Sequence, residues 1–460
     1  MISALSAFLY ERLLIFLLPA SGIYFTLRGK FMPFRLLPEA FRAVGEKADD
    51  SKGASAFGTL MISTASRVGT GNIVGVSTAL CMGGCGALFW LWVTAFIGSA
   101  NAFAEATLAQ LYKRRSKSGF YGGPSYYIEA ALHSKAPAAV FALLLIAAYG
   151  IGFNMLSAYN LQSAFSGFAF YDAQRTPRLV GVVLALLCLT CLLGENRRLL
   201  KINELIVPVM GLLYAAAAFY AAVRNISLLP GIFAEVFRSA FDSKAILGGL
   251  NGSCLMVGLR RGLFSGEGGI GSSPNAAASA HTCHPVRQGL VQMLSVGIDA
   301  LLCTATALLC LCSGIVPSPE LSGMPYIRLS FCSIFGSAGQ VFSAAAMVLF
   351  AFTTLLGDFY YIDSSLRYLL GAEPPEKLLG AVRMVGCFFI FLGCSLASDK
   401  LWELADVLMG LMCVINLPVL LCSGGKIVKC LDDYLSQKRR GGPIRFSADD
   451  VGIHDTVCWK

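Results

Sequence analysis

Charged residues are scarce in this chain. Only 14% of its 460 residues are Asp, Glu, Lys or Arg, and 56% are hydrophobic, whereas soluble domains average about 25% charged residues. The mean hydropathy is +0.67. The apolar runs are continuous and of helix length, without the alternation of barrel strands. The composition therefore excludes an ordinary soluble domain and predicts an all-α polytopic protein of a lipid bilayer.

The sequence also lacks the patterns that carry catalysis, metal binding or ATP hydrolysis. Its sixteen cysteines have no ligand spacing, and nothing resembles a nucleotide-binding P-loop. A membrane enzyme would have to use His281 and His284, and a loop of helix-capping residues explains that pair better than a metal site. The net charge of +9 lies in short loops, so no nucleic acid partner is implied. We therefore expect no enzyme and no cofactor.

Eleven apolar runs can be counted along the chain. They cover roughly residues 12–27, 54–82, 86–112, 137–166, 178–194, 203–223, 245–280, 286–313, 338–369, 379–397 and 402–422. The loops between them alternate in basic residues, with 25 Lys and Arg on one side and 8 on the other. Because cytoplasmic loops carry the positive excess, the N-terminus is predicted outside and the C-terminus in the cytoplasm.

Two of these runs, 54–82 and 245–280, are interrupted by glycine clusters, and each opens a set of five. An odd number of helices per set inverts the second copy, so the pattern predicts a 5+5 inverted repeat of leucine-transporter-like type. The expected divisions are a peripheral N-terminal helix with a cytoplasmic loop (1–53), a first repeat (54–224), a second repeat with its preceding outer loop (225–422) and a cytoplasmic tail (423–460).

The first interruption, at residues 65–72, has two glycines and an asparagine in the middle of a span. Each glycine costs about 1 kcal/mol relative to alanine in a helix interior, so we expect the helix to open. Freed N–H groups at the start of the second half-helix would bind a substrate carboxylate. The N–H groups expected to do so belong to Thr70, Gly71 and Asn72. Carbonyl groups near Arg67 and Val68 would face a cation, and the Asn72 side chain would touch substrate or a neighbouring helix.

The second interruption, Leu263 to Ser273, carries four glycines, an acid and several hydroxyl groups. Paired interruptions at corresponding places in two halves are the best sequence indication of a transporter's binding site. The residues expected to face the substrate here are Ser265, Gly266, Gly268 and Gly269. Glu267 is expected to cap the restarted helix and to pair with Arg67, or else to face a substrate ammonium group.

The run 338–369 offers hard oxygen ligands for sodium. Thr353 and Thr354 stand in tandem, and Asp358 follows one turn beyond Thr354. Acids inside membrane spans are rare and functional by default, so all three residues are predicted to bind an ion. The alternatives are threonines bonded to their own preceding turn and an Asp358 that lies in an inner vestibule. Two further acids, Glu105 and Asp299, are interpreted as structural polar contacts.

Seven segments together resemble the alanine or glycine:cation symporter family, and they cover most of the chain in order. They are Ser66-Arg-Val-Gly-Thr-Gly-Asn-Ile73, Gly86-Ala-Leu-Phe-Trp-Leu-Trp-Val-Thr-Ala95, Phe103-Ala-Glu-Ala106, Gly122-Gly-Pro-Ser-Tyr-Tyr-Ile128, Arg261-Gly-Leu-Phe-Ser265, His284-Pro-Val-Arg-Gln-Gly-Leu-Val291 and Thr353-Thr-Leu-Leu-Gly357. The resemblance implies an amino acid transporter with eleven helices in a bacterial or archaeal inner membrane. It also implies alanine or glycine as substrate and sodium as the coupling ion.

The chain departs from that family at three places. The family usually has Asn and Ala where Gly266 and Gly268 stand, a glutamine at the position of Ser157, and Trp at the position of Asp358. Smaller residues at 266 and 157 leave room for a larger substrate side chain, so Ser157 joins the expected substrate-binding residues. Asp358 could hold a substrate cation or a proton. We therefore expect a changed specificity within amino acids.

Two alternatives to sodium symport remain open at this point. A proton-coupled amino acid transporter would use Asp358, and the sodium dependence of uptake at fixed pH would separate it from a sodium symporter. A channel or a substrate sensor with a transporter fold is the other class. Saturable electrogenic flux would argue against both the channel and the sensor.

Overall fold

A computed structural model describes residues 2–45, 54–116, 119–193, 196–242, 253–396 and 398–459. The helices of the first half are α1 (Ile2–Arg28), α2 (Met32–Arg35), α3 (Leu37–Val44), α4 (Ala56–Arg67), α5 (Gly71–Gly83), α6 (Gly86–Leu111), α7 (Pro124–Leu132), α8 (Lys135–Ser163), α9 (Thr176–Leu192) and α10 (Asn196–Arg224). Those of the second half are α11 (Leu229–Ala240), α12 (Cys254–Gly266), α13 (Pro274–Ala278), α14 (Pro285–Leu311), α15 (Met324–Phe335), α16 (Ser337–Leu370), α17 (Glu376–Gly393), α18 (Ser398–Cys422) and α19 (Gly424–Arg440). Strands β1 (Arg114–Ser116) and β2 (Gly119–Tyr121) form an antiparallel hairpin.

The predicted apolar runs coincide with this helix order. Within the described residues, seven helices are long and apolar enough to cross a membrane. The two glycine-rich runs are each split, into α4 with α5 and into α12 with α13. The loops after the first and the sixth of these runs also contain helices, α3 and α11. The short helices α7 and α15 have no counterpart among the predicted runs, because they are too short to give a membrane-span signal.

The bundle exposes large apolar side chains on its outer surface. The outer face of α10 exposes Leu205, Leu212 and Phe219, each about seven-tenths exposed, at a spacing of seven residues. That spacing places them on one helix face, where lipid can cover them. In contrast, α6 is buried throughout from Gly98 to Leu111, so α6 is the central helix against which both interrupted runs pack.

Loops predicted to lie on the same side of the membrane meet at the same end of the bundle. At the end that carries β1 and β2, called here the hairpin end, the Lys113 ammonium group donates to the Ala280 carbonyl at 3.3 Å. At the opposite end, Trp90 Nε1 donates to the Ala240 carbonyl at 3.1 Å, and Ser77 Oγ donates to the Gly323 carbonyl at 2.8 Å. These contacts agree with the alternation that the basic residues predict.

The C-terminal tail after α19 folds back over the hairpin end. Trp459 Nε1 donates to the Gln110 carbonyl at 2.7 Å. The Lys113 ammonium group lies between two rings, 4.2 Å from the Phe120 centroid and 4.4 Å from that of Trp459. The tail therefore packs on the last turn of α6.

An acid in the tail adds an ionic contact to this packing. Asp455 Oδ2 accepts hydrogen bonds from Lys426 at 2.7 Å and from Tyr112 at 2.8 Å. Burial by itself raises the pKa of Asp455, but these two bonds outweigh it and hold the pKa below its ordinary value. The carboxylate consequently remains charged and paired at neutral pH.

We predict that Trp459→Ala releases the tail from the hairpin end. The ring is 7% exposed, and removal of a buried tryptophan costs about 3–5 kcal/mol. Limited proteolysis of the purified protein should then cut the segment between α19 and Trp459 faster than in the wild type. His454→Ala is the matched control, because that side chain is 76% exposed. Equal cleavage of the two variants would contradict the packing role of Trp459.

Candidate functional site at the two helix breaks

The first break opens where the sequence predicts it. Helix α4 ends at Arg67, and Val68, with ψ of 77°, carries the chain out of helical conformation. Gly69 N donates to the Arg67 carbonyl and to Asn72 Oδ1, both at 2.9 Å. The chain restarts with a π-helical turn, Gly71–Gly75. The first N–H groups of a restarted helix have no partner within the helix.

Asn72 belongs to the frame of the break, and its side chain contacts a neighbouring helix, which is one of the two alternatives stated for it. Its N–H donates to the Gly69 carbonyl at 3.2 Å. Its side-chain amide donates to Asp299 Oδ1 at 2.7 Å and to the Asp299 carbonyl at 3.2 Å. Of the three N–H groups named from the sequence, those of Thr70 and Gly71 therefore remain for a carboxylate.

Arg67 is 2% exposed and joins the two breaks with its side chain. Its guanidinium donates to Ser273 Oγ at 2.7 Å, just before α13, and to Gln292 Oε1 of α14 at 3.2 Å. These bonds correct the expected direct pairing with Glu267. The Arg67 carbonyl accepts the Gly69 N–H, so it is also occupied within the turn.

Helix α16 meets the first break through Thr354 and Asp358. Thr354 Oγ1 lies 3.1 Å from the Ala65 carbonyl oxygen of α4 and 2.9 Å from the Phe350 carbonyl oxygen of its own helix. Asp358 is fully buried inside a helix that continues to Leu370, which excludes the vestibule alternative. Thr353 bonds to carbonyls of its own helix and lies 3.7 Å from Met210 of α10. The Thr353 hydroxyl therefore bonds to its own preceding turn, which is the alternative stated for it, and its role as an ion ligand stays a prediction.

The second break is a glycine-rich loop between α12 and α13. Glu267 has φ of 49°, and Gly269 and Gly271 have φ of 105° and 89°. A left-handed conformation costs a non-glycine residue about 1–2 kcal/mol. Glu267 offsets this cost by accepting a hydrogen bond from Ser272 at its Oε2 at 2.7 Å, and Ser66 Oγ lies 3.2 Å from its Oε1.

Two glycines of this loop are points of close packing, and their contact with substrate stays a prediction. A Cβ added to Gly268 would lie 2.3 Å from the Gly98 carbonyl oxygen of α6. A Cβ added to Gly269 would lie 2.9 Å from Leu417 and 3.4 Å from Asn101. Both glycines therefore face the central helix and its neighbour α18, away from the first break.

The two breaks meet through Gly71, Phe264 and Ser265. A Cβ added to Gly71 would lie 2.9 Å from the Phe264 ring and 3.6 Å from Ser265 Cα. Ser265 Oγ donates to Asp299 Oδ1 at 2.8 Å, the same oxygen that accepts from Asn72. At Gly266, an added Cβ would lie 3.6 Å from Val296 and 3.7 Å from Asp299, so a methyl group fits at this position in ordinary contact.

Aromatic rings close the meeting point on the side of α12. Phe264 stacks on Phe153 at 4.7 Å and lies 4.8 Å from Trp402. Beyond them, Arg261 forms an ion pair with Asp406 at 2.7 Å. The substrate residue expected on α8, Ser157, is buried one turn beyond Phe153. No glycine cluster or charge pattern in the sequence marks Phe153, Phe264 or Trp402 as site residues. The adjacent arginines at 260 and 261 are the exception among the residues that close this side.

One hydroxyl group is shared by two buried acids. Ser66 Oγ lies 3.0 Å from Asp358 Oδ1 and 3.2 Å from Glu267 Oε1. A hydroxyl has a single hydrogen to donate, so one of these contacts lacks it unless a proton or a cation is added. Spacing in the sequence does not reveal Ser66, because its two partners are about 200 and 300 residues away.

The His281 and His284 pair is explained without a metal. His284 Nδ1 accepts from Val286 N at 3.1 Å and so caps α14, and His284 Nε2 lies 3.2 Å from Asp433 Oδ2. Among the described residues, no group of three or more His, Cys, Asp or Glu side chains is arranged to hold a metal ion. The capping interpretation is the one that the contacts support.

The architecture resembles that of solved transporters. The crystal structure of MhsT in complex with L-phenylalanine superposes with a TM-score of 0.52 over 89% of this chain and 94% of that chain, at 15% identity. A likeness at this identity concerns the fold alone. Together with the paired breaks, it identifies the fold as leucine-transporter-like.

The family follows from comparison of sequences. Residues 1–448 match the sodium:alanine symporter family. The probable sodium/glutamine symporter GlnT of Bacillus subtilis is 41% identical over 98% of this chain and 94% of its own length. The sodium/alanine symporter AgcS of Methanococcus maripaludis is 35% identical over 93% and 95%. This chain belongs to the sodium:alanine symporter family and is a transporter, not an enzyme.

We predict that Gly69→Ala destabilises the contact between α4 and α16. A Cβ at this position would lie 2.1 Å from Thr354 Oγ1, and overpacking of this kind costs about 1–3 kcal/mol. The thermal unfolding midpoint of the purified variant should fall below that of Gly75→Ala. Gly75 is the control because its added Cβ would lie 3.7 Å from Trp402. A midpoint no lower than the control would show that Gly69 is not a point of close approach.

Proposed function

We propose that this chain couples the entry of sodium to the uptake of a neutral amino acid. The observation that carries the proposal is the charge balance at the breaks. The described side chains there supply three buried carboxyl groups, on Glu267, Asp299 and Asp358, and the Arg67 guanidinium. Buried charge is costly unless it is paired. A sodium ion and the ammonium group of an amino acid are the cations that would balance it.

Sodium would bind between α4 and α16. The Ala65 carbonyl and the Thr354 hydroxyl already face each other at 3.1 Å, and Asp358 lies one turn beyond Thr354. These are hard oxygen donors of the kind that alkali and alkaline earth cations prefer. Val68, at the end of α4, supplies a further carbonyl, as the sequence predicts.

The amino acid would bind next to this ion at the meeting of the breaks. Its carboxylate would accept from the N–H groups of Thr70 and Gly71, where the half-helix dipole is positive. Its ammonium group would face the Asp299 carboxylate. Its side chain would extend toward Ser265, Gly266 and Ser157. Because both ligands order the same break, each raises the affinity for the other, and this linkage is the coupling.

A substrate larger than alanine is favoured by Gly266, the smallest residue at a position where the family usually has Asn. The family substrates implied by the sequence are alanine and glycine, and AgcS carries the name of an alanine symporter. GlnT, a more similar relative, is named as a probable glutamine symporter. We propose glutamine as the first substrate to test, with alanine and glycine beside it. The direction is inward across the cytoplasmic membrane, with the N-terminus outside and the tail in the cytoplasm.

Uptake by proteoliposomes tests the proposal. A tenfold sodium gradient stores about 1.4 kcal/mol per ion, so one coupled sodium supports about tenfold accumulation of substrate. Labelled glutamine, alanine and glycine are each offered with an inward sodium gradient and, as a control, with choline in its place. Accumulation of one of them only with sodium is expected. Uptake that is equal in choline would contradict sodium coupling.

The specificity is tested at Gly266. We expect Gly266→Asn, which restores the residue that the family usually has, to lower the uptake ratio of glutamine to alanine. Loss of pocket space worth one or two heavy atoms changes such ratios by about tenfold or more. Gly211→Asn is the matched control, because an added Cβ there meets no heavy atom within 4 Å. An unchanged ratio would place the substrate side chain elsewhere.

A proton in place of sodium is the second candidate for the coupling ion. It is favoured by Asp358 Oδ2, which has no hydrogen-bond partner in the described part of the chain, and by the hydroxyl that Ser66 shares between two acids. Uptake measured at fixed pH with sodium replaced by choline separates the candidates. Full uptake in choline driven by a pH gradient would favour the proton.

A further inference from the structure

A second polar cluster lies on the far side of the second break, away from the expected substrate position. Glu105 of α6 is fully buried, and its Oε1 accepts from Asn416 Nδ2 of α18 at 2.5 Å. Its other oxygen, Oε2, has no partner in the part of the chain that the structure describes. A buried carboxyl group with an unsatisfied oxygen calls for an explanation.

A second unsatisfied group stands one helical turn away. Asn101 is also fully buried, and within the described residues neither atom of its side-chain amide has a partner. Residues four apart on a helix lie on the same face, so Asn101 and Glu105 share one side of α6. This amide also lies against the second break, since a Cβ added to Gly269 would be 3.4 Å from Asn101 Nδ2.

We propose that Glu105 binds a proton, shared with Asn101, whose gain and loss accompany the opening of the second break. The protonated Oε2 donates to Asn101 Oδ1, which gives a partner to one unsatisfied atom of each side chain and removes a buried negative charge. The Glu105 carboxylate takes this proton from water when the loop of the second break is open. It gives the proton back to water when the loop opens again later in the transport cycle. The inference rests on the proposed function, because only a transport cycle would open this loop.

The packing favours a proton over a metal ion. Asn416 is already bonded at both ends, with Oδ1 accepting from Tyr127 at 2.5 Å and Nδ2 donating to the Gly269 carbonyl at 3.0 Å. A Cβ added to Gly269 would lie 2.9 Å from Leu417 and 3.3 Å from Leu18. A sodium ion needs several oxygen ligands and the volume to hold them, whereas a proton between two existing side chains needs neither.

The link to the second break is direct. Asn416 Nδ2 bonds both to Glu105 and to the Gly269 carbonyl, so a movement of that loop changes the surroundings of the carboxyl group.

The charged and titratable groups that face Glu105 come from four elements. They are Arg67 of α4, Glu267 of the loop itself, Tyr127 of α7 and Cys413 of α18. Arg67 acts at a distance, because its hydrogen bonds go to Ser273 and Gln292.

The experiment is sodium-driven uptake measured from pH 5.5 to 8.5, with saturating sodium and substrate. Wild-type uptake should vary with pH, because a single titrating group changes its protonated fraction up to about tenfold per pH unit. Glu105→Gln keeps the shape and the hydrogen bonds of the protonated acid, so its uptake should be independent of pH. Asn101→Ala removes the acceptor of the proton, so the wild-type profile should move to lower pH. Glu129→Gln is the matched control, since Glu129 lies at the hairpin end and accepts from Tyr368 at 2.7 Å.

A second measurement follows the proton itself. Sodium and substrate are added to unbuffered protein in the presence of a pH-sensitive dye. The wild-type protein should then release or take up protons. Glu105→Gln should do neither, whether or not that variant transports. A role of Glu105 in holding the loop alone would change unfolding midpoints without changing either proton signal.

The outcomes separate this inference from the proposed function. No sodium-driven uptake by the wild type would overturn the proposed function. Sodium-driven uptake with the same pH profile in Glu105→Gln and wild type, or with no pH dependence at all, would overturn the proton assignment alone. A lower Hill coefficient for sodium in Glu105→Gln, at an unchanged pH profile, would assign the position to sodium and likewise overturn it.

Discussion

The backbone groups freed by two interrupted helices constrain the rest of this structure. In the bilayer interior no water satisfies a peptide N–H or C=O, so a helix can open only where protein or a polar cavity receives those groups. Here each break supplies partners to the other: Arg67 at the first reaches Ser273 beyond the second, and Glu267 of the second accepts from Ser66 of the first. The central helix α6 and helix α14 enclose both.

The same constraint accounts for the unusual density of buried acids. Polar groups are needed to hold the open turns, and Asp299 does this for Asn72 and Ser265 together. Once these carboxyl groups are buried beside the Arg67 guanidinium, any negative charge that they carry needs a proton or a cation to compensate it. In the proposed function, that need links the frame of the two open helices to the binding of a cation.

Much of this architecture could be predicted from the sequence because membrane helices leave a local signal. Continuous apolar runs, glycine clusters and the distribution of Lys and Arg predicted the spans, both interruptions and their places at the start of each five-helix set. The short helices that line the ends of the bundle escaped prediction because they are neither long nor uniformly apolar. Among the site residues, Thr354, Asp358 and Ser265 lie at the breaks as expected. Thr353, Gly268 and Gly269 do not face the meeting point, because neighbouring positions on a chain point in different directions.

The sequence by itself determined the family, the membrane-spanning character and the two points where helices open, since each depends on residues adjacent in the chain. Only the tertiary structure decided what the freed groups contact. That Asn72 holds Asp299, that Ser66 serves two acids and that Glu105 and Asn101 stand unpaired beside Gly269 all depend on helices far apart in sequence. The physical reason is that partners of buried polar groups are selected by packing in three dimensions, and packing leaves no periodic trace along the chain.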